Sequence, residues 1–321
     1  MKANKIDRAK FKSSTTTTEV LEGIDLRGRT VLITGGSSGL GAETARALAS
    51  KGAQVTITAR NLEKAQDVVS KIESETGSRV TVEEMELGSL ASVRALAERF
   101  LSRVEKLDLL INNAGIMACD QSKTVDGFEK QFGVNHLGHF LLTCLLTPAL
   151  MKGEAPRIVS LSSVGHQTSP VVFDDIQFLN REYDRWVSYG QAKTANALFA
   201  VGLEKRLAPH GIHAYAVHPG VIMTDLSRHL PQEEVEGFSK MVESGAMVLK
   251  SVEAGAATSV YAATAPELEG KGGVYLANCG VCPQDDESES QTVVRSYAMD
   301  EEGAEKLWRV SEQLLGQTFS F

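Results

Sequence analysis

A chain of 321 residues that is 42% hydrophobic and 23% charged has a globular composition, with length for one large α/β domain or two smaller ones. Its formal net charge of -8, with no block of lysines and arginines forming a stripe, argues against nucleic acid or an anionic membrane surface as partner. No apolar run reaches the ~18 to 20 residues of a spanning helix, so a cytoplasmic protein without a membrane anchor is expected.

The start of the chain is polar and Thr-rich (Ser13 to Thr18) and has no apolar core like that of a signal peptide. Residues 1–25 read as a loose leader or an arm lying over the domain. Thr30–Thr34 is a β-branched run ending in glycines. A helix follows over Glu43–Ser50, then a strand over Gln54–Ala59 and a helix over Leu62–Thr76. Arg79–Leu87 reads as a third strand, Ser92–Arg103 as a helix, and Leu107–Asn112 as a fourth strand. The helix Gly133–Met151, the strand Arg157–Leu161 and the helix Val187–Leu207 come next. Ile212–His218 is a sixth strand, Gly273–Leu276 a seventh, and Glu301–Leu315 a peripheral helix. The acidic stretch Gln284–Ser290 between them reads as a solvated loop.

Strand and helix alternate with short connections, the pattern of a parallel sheet covered on both faces. No Pro- or Ser-rich linker divides residues 26–321, so one doubly wound α/β domain of Rossmann type is expected, with a central parallel sheet of about seven strands. The four cysteines are Cys119, Cys144, Cys279 and Cys282, the last two in a CxxC. A zinc site wants four ligands, and no second pair completes one. A redox pair wants a helix after it, and here Pro283 and acidic residues follow. A loop near the domain edge is the expected reading, and no metal site is expected.

Thr34-Gly35-Gly36-Ser37-Ser38-Gly39-Leu40-Gly41 follows the first strand and opens the first helix. Glycines let the backbone turn sharply and approach a ligand, and the helix N-terminus offers free N–H groups to a pyrophosphate. The end of the second strand, Thr58-Ala59-Arg60-Asn61, carries no acid to hold a ribose 2′-hydroxyl. NADP(H) is therefore preferred, with Arg60 paired to the 2′-phosphate. NAD(H) remains the alternative, with Arg60 as a solvated surface residue.

Tyr189 and Lys193 are four residues apart, about 40° around a helix and on one face. A tyrosine titrates near ~10, and a fixed cation close by lowers that value. Alone, Tyr-x-x-x-Lys is also an ordinary amphipathic pair. The remaining motifs decide between these readings. Asn112-Asn113-Ala114-Gly115 closes the fourth strand, Asn135 lies in Val134-Asn135-His136-Leu137-Gly138, Ser162-Ser163 follows the fifth strand, and Pro219-Gly220 precedes Thr224.

Together these motifs resemble the short-chain dehydrogenase/reductase family, from Leu26 to about Pro283. Asn135-His136-Leu137-Gly138-His139-Phe140, the Ser-Ser-Val-Gly-His run and the 26-residue step from Ser163 to Tyr189 resemble its retinol-dehydrogenase-like branch. That branch often has a hydrophobic N-terminal anchor, which the sequence here lacks. The resemblance implies that Tyr189 is the general acid in carbonyl reduction and the general base in alcohol oxidation. Lys193 would lower its pKa and bind the nicotinamide ribose. Ser163, rather than Ser162, would hydrogen-bond the substrate oxygen, and Asn135 would hold a water linking Lys193 to solvent. Implied cofactor contacts are Gly35, Ser37, Ser38, Gly39, Leu40, Gly41, Arg60, Glu86, Leu87, Asn113, Ala114 and Gly115. Tyr189, Lys193, Pro219, Gly220, Val221 and Thr224 complete them. Glu86 stands where the family has an aspartate after strand three, facing the adenine amine.

Val164–Val187 and Ile222–Lys250 are expected to cover the site, with residues near 222–250 as the substrate-covering segment. Val164, Trp186, Met223 and Leu226 are the expected substrate contacts, joined by Val171, Phe173, Phe238, Met241 and Met247. This is an apolar, adaptable lining for a lipophilic ketone, aldehyde or secondary alcohol. The helices at 133–151 and 187–207 are apolar on more than one face. One face must cover the sheet, and the other would suit a homodimer or homotetramer bundle. His136, His139 and His218 read as packing residues. The expected activity is NADP-dependent oxidoreduction of a carbonyl/alcohol pair. A carbon-carbon double-bond reductase and a silent NADP-binding regulator are the alternatives. A nucleotide-sugar isomerase or dehydratase wants Gly-x-x-Gly-x-x-Gly, which Gly35, Gly39 and Gly41 do not fit.

Overall fold

The computed structural model describes residues 11–321 apart from 245 and 246. Its strands are β1 (Thr30–Thr34), β2 (Gln54–Ala59), β3 (Val80–Glu84), β4 (Leu109–Asn112), β5 (Arg157–Leu161), β6 (His213–His218), β7 (Val274–Ala277) and β8 (Gly280–Val281). They form one sheet in the order β3-β2-β1-β4-β5-β6-β7-β8. All neighbours pair in parallel except β7 and β8, which form an antiparallel hairpin. The helices are α1 (Thr17–Val20), α2 (Gly39–Ala49), α3 (Leu62–Thr76), α4 (Leu90–Leu101), α5 (Lys130–Phe132), α6 (Gly138–Leu150), α7 (Arg185–Leu207), α8 (Gln232–Glu243), α9 (Val252–Thr264) and α10 (Glu301–Leu315).

Successive residues of β1 feed opposite faces, which is why the strand reads as a continuous apolar run. Leu32 joins a core with Leu96, Phe140, Phe199 and Trp308, under α4, α6, α7 and α10. Val31 and Ile33 join a second core with Leu48, Val69 and Tyr261, under α2, α3 and α9. Because β1 lies between β2 and β4, the strand order reverses there, and a crevice opens at the carboxyl ends of β1 and β4.

Several boundaries differ from the sequence expectation for physical reasons. β3 stops at Glu84, and the chain from Met85 to Ser89 bends across the carboxyl edge of the sheet. The helix expected over 133–151 begins instead with a π-helical turn, Gly133–Leu137, a form that often marks functional positions. Of the expected leader, residues 1–10 lie outside the described residues. Residues 11–25 lie over the domain: α1 packs on α2 and α9, and the Thr17 hydroxyl donates to buried Glu43. Cys279 sits in the two-residue turn between β7 and β8, where it and Asn278 both have positive φ. Cys279 faces the α9 side and Cys282 the α10 side, so the CxxC presents its thiols to opposite faces of the sheet.

The second apolar face of α6 and α7, expected to suit a partner subunit, is covered by the chain's own α10. Trp308 packs on Phe140 at 4.7 Å between ring centroids and on Phe199 at 6.1 Å. The Arg206 guanidinium lies over Trp308 at 4.0 Å and pairs with Glu305 at 2.8 Å. Among the described residues, no helix is long and apolar enough to cross a membrane.

Burial lowers four imidazoles: His136 and His218 to about 3, His139 and His166 to about 4. An unfolded chain protonates them near ~6.5. Below that pH the unfolded chain takes up protons the folded chain refuses, so stability is lost as pH falls from 6.5 toward 4. Each ring contributes about 1.4 kcal/mol per pH unit in that window. A urea-unfolding series from pH 7 to pH 5 should show a steep loss of stability, and a flat profile would mean that the rings are protonated within the fold.

Candidate active site

The cofactor end is built by the turn between β1 and α2. α3, α4, α7, α9 and α10 each begin with an Asn, Ser or Asp side chain accepting from the first turn. The α2 cap, Ser38, makes no such bond, which leaves first-turn N–H groups directed at the cleft. A Cβ at Gly41 would stand 2.6 Å from the Asn113 amide and collide with the Gly35 carbonyl. Asn113 holds the turn by donating to the Thr34 carbonyl at 2.8 Å. This uncapped, glycine-rich cradle suits the pyrophosphate of a nicotinamide dinucleotide.

Arg60 and Glu86 lie at the far side of the same cleft. They form an exposed ion pair at 3.4 Å, and the other Glu86 oxygen accepts from the Gly88 N–H at 2.9 Å. The Glu86 carboxylate is thus turned back on its own loop. Leu87, Asn113, Ala114 and Gly115 line the cleft along with the turn and with Tyr189 and Lys193.

α7 carries Tyr189 and Lys193 on the face against β5, both 4% exposed. The Lys193 ammonium donates to the Leu161 carbonyl at 3.1 Å and lies 5.5 Å from the centre of the Tyr189 ring. The sequence reading had this cation lowering the phenol; in the protein alone burial dominates instead. It pushes Tyr189 up to about 12, with the Ser163 hydroxyl as the one opposing contact, and pulls Lys193 down to about 8. Both shifts disfavour the charged form, as desolvation does.

Ser163 lines the cleft, and its Oγ accepts from the Gly165 N–H at 3.1 Å. The Ser162 hydroxyl is engaged elsewhere, donating to the Lys193 carbonyl at 2.8 Å. Asn135, fully buried in the π-helical turn, clamps Ile116: Oδ1 accepts from its N–H at 2.8 Å and Nδ2 donates to its carbonyl at 2.9 Å. It stands behind Gly115 rather than in the cleft wall. His139 ties Asn135 to the glycine turn, contacting the Asn135 carbonyl at 2.9 Å and the Thr34 hydroxyl at 2.8 Å.

The cleft encloses about 960 Å³. Pro219, Gly220, Val221 and Thr224 edge it, and Val164, Trp186, Met223, Leu226, Phe238 and Met247 line it. The chain leaves the sheet at Val221 and returns at Leu249, where the two segments bridge and Lys250 N–H donates to the Val221 carbonyl at 2.9 Å. Ion pairs hold this lid at both sides: Lys64 to Asp225 at 2.7 Å, and Arg185 to Glu234. Trp186 donates to Glu234 at 3.2 Å and sets its ring edgewise to Tyr189 and Phe238. Three residues expected here lie elsewhere. Val171 and Phe173 pack into the core on the α10 side, and Met241 is exposed on the outer side of α8.

Sequence reasoning did not single out Gly165, Gln167, His166, Gln291 or Arg295. A Cβ on Gly165 would stand 2.8 Å from the Tyr189 ring, so the tyrosine is seated against bare backbone. His166 was visible in the Ser-Ser-Val-Gly-His run, but nothing local announced Gln291 or Arg295, which reach the cleft from the far end of the chain.

Sheet order, cradle and cleft together define a dinucleotide-binding α/β oxidoreductase. The chain belongs to the short chain dehydrogenase family, whose model matches residues 29–235. It is 43% identical over 298 residues to short-chain dehydrogenase/reductase prx1 of Penicillium roqueforti, covering 91% of this chain and 86% of that protein. It is 42% identical over 294 residues to mouse retinol dehydrogenase 12, covering 91% and 88%. The crystal structure of a short chain dehydrogenase from Burkholderia cenocepacia in complex with NADP superposes with a TM-score of 0.63 at 29% identity, covering 78% and 96%.

Gly165→Ala should displace the Tyr189 ring and, if that phenol takes part in the reaction, lower kcat by tenfold or more, because small misplacements of a reacting group are costly. Cofactor affinity, read by quenching of protein fluorescence, should change little. Unchanged turnover would show that the ring does not depend on that contact.

Proposed function

We propose that the protein transfers a hydride between NADP(H) and a carbonyl/alcohol pair on a lipophilic ketone, aldehyde or secondary alcohol. The observation that carries this reading is that Ser163, Tyr189 and Lys193 line one cleft with the uncapped start of α2. A nicotinamide cofactor held in this cleft would supply or accept the hydride. Tyr189 delivers the proton to the carbonyl oxygen in reduction and takes it up in oxidation. Ser163 donates to the same oxygen and holds it beside the phenol. Lys193 orients the cofactor ribose and supplies positive charge. Asn135 holds the loop at Ile116 that shapes the wall behind Lys193 and carries the water through which the lysine exchanges protons.

Arg60 supports the preference for NADP. β2 ends without an acid, and the exposed pair of Arg60 with Glu86 is of a kind worth at most about 1 kcal/mol. A 2′-phosphate offers the guanidinium a stronger, bidentate partner. Apolar side chains over the cleft support a lipophilic substrate, since Trp186 of α7 and Phe238 and Met247 of the lid line it.

A panel of ketones, aldehydes, secondary alcohols and enones, scored with NADPH and NADH separately, tests this reading. Tyr189→Phe should lower turnover by about 10² to 10⁴ while NADPH still binds; retained turnover would remove Tyr189 from the chemistry. Arg60→Asp should weaken NADPH about tenfold more than NADH, whereas equal effects on the two would overturn the NADP preference.

A further inference from the structure

The strap that follows β8, residues 284–298, reaches the cleft through Gln291 and Arg295. Its tip is acidic and exposed, but the chain then returns to the carboxyl edge of the sheet, where Gln291 and Arg295 line the cleft beside Ser163 and Gln167. The return is firmly held. Gln167 donates to the Ser290 carbonyl at 3.0 Å, and the Tyr297 hydroxyl donates to the His166 carbonyl at 2.8 Å. The Arg295 backbone N–H donates to His166 Nε2 at 3.1 Å. Because Nε2 accepts, the imidazole proton sits on Nδ1, which lies 2.7 Å from the Ser163 carbonyl. The Tyr275 hydroxyl donates to the same carbonyl at 2.9 Å. One fully buried ring therefore joins the backbone of Ser163 to the backbone of Arg295.

We propose that this strap is the polar wall of the substrate site and that Gln291 and Arg295 are specificity-determining residues that read a carboxylate on the substrate. The proposal rests on the carbonyl/alcohol reading above and deepens it. The lid wall is mostly apolar, with Asp225 tied to Lys64, while the strap wall offers amide and guanidinium donors. Arg295 forms no ion pair among the described residues; its Nη1 donates to the Asp285 carbonyl at 2.9 Å. The neighbouring carboxylates are engaged with their own loop. Asp285 accepts from the N–H groups of Glu287 and Ser288, and Asp286 from the N–H and hydroxyl of Ser296. The guanidinium keeps donors for a ligand, and a carboxylate is the partner its fork fits best. The matching substrate is a lipophilic carbonyl compound with its apolar body under the lid and a carboxylate against the strap. His166 is the positioning residue that keeps this wall in register with Ser163.

The test compares a medium-chain methyl ketone with the keto acid of equal length bearing a terminal carboxylate, both assayed with NADPH on the full chain. Wild type should favour the keto acid. Arg295→Leu should raise KM for the keto acid at least tenfold more than KM for the ketone, and Gln291→Leu should shift the same ratio by a smaller factor. His166→Ala should lose this discrimination together with kcat, and His166→Gln, which offers one donor and one acceptor, should recover both. Equal shifts for the two substrates in Arg295→Leu and Gln291→Leu, or discrimination intact in His166→Ala, would overturn the proposal. Absence of any carbonyl or alcohol turnover by wild type with either cofactor would instead overturn the reading on which it rests.

Discussion

The site depends on one constraint: an ammonium buried with a single carbonyl for company. Lys193 is 4% exposed, and its Nζ donates to Leu161 at the end of β5. Burial lowers it from 10.5 to about 8, a penalty of about 3 kcal/mol. Neighbouring groups hold the lysine there. Asn196 donates to the same Leu161 carbonyl at 2.9 Å, and Ser162 binds the lysine's own carbonyl. Tyr189 shares this dry setting, so its phenol is pushed up to about 12. The protein by itself thus favours the neutral forms of both groups. On the proposed reading, Tyr189 and Lys193 would hold an oxidised nicotinamide cofactor whose positive charge would favour the phenolate, coupling proton release by Tyr189 to cofactor binding.

The two ends of the cleft are joined by a short relay rather than by proximity alone. The Thr34 hydroxyl accepts from the N–H groups of Asn113 and Ala114, each at 2.9 Å, so its own proton is directed to His139 Nε2. His139 then donates through Nδ1 to the Asn135 carbonyl, and Asn135 clamps Ile116. Four buried side and main chains therefore fix the glycine turn, the end of β4 and the π-helical turn relative to one another. A second imidazole does the same for the serine: His218 Nδ1 accepts from the Val164 N–H at 3.1 Å, beside the bond of His166 to Ser163. Of the three histidines that sequence reasoning treated as packing residues, His139 and His218 are joints of the site, while His136 packs in the core and meets Ser311 of α10 at 2.9 Å.

Much of this was legible in the sequence because it is encoded locally. The glycine turn, the β-branched runs and the Tyr-x-x-x-Lys pair each announce themselves within a few residues, and the sheet follows from their alternation. What was not legible depends on residues distant in sequence. α10 covers α6 and α7 through Trp308 and Phe140, far apart in the chain, and periodicity could show only that those helices had a second apolar face. The acidic residues before Ser290 read as a solvated loop, which their exposure matches, yet the same segment continues to Gln291 and Arg295 at the cleft. Val171 and Phe173 looked like lid residues by position, but the core on the α10 side takes them. The direction of the Tyr189 shift was misjudged for a related reason: spacing reveals the nearby cation but not the desolvation that outweighs it.

The central claim is that Tyr189 is the proton-transferring group, held neutral by burial and released by the charge of the bound cofactor. Ultraviolet difference titration of tyrosinate, wild type minus Tyr189→Phe, with and without NADP⁺, tests it most directly. The account predicts a phenol that titrates near 12 in the free protein and at least ~3 units lower when NADP⁺ is bound. A phenol that titrates at the same pH in both states would contradict it.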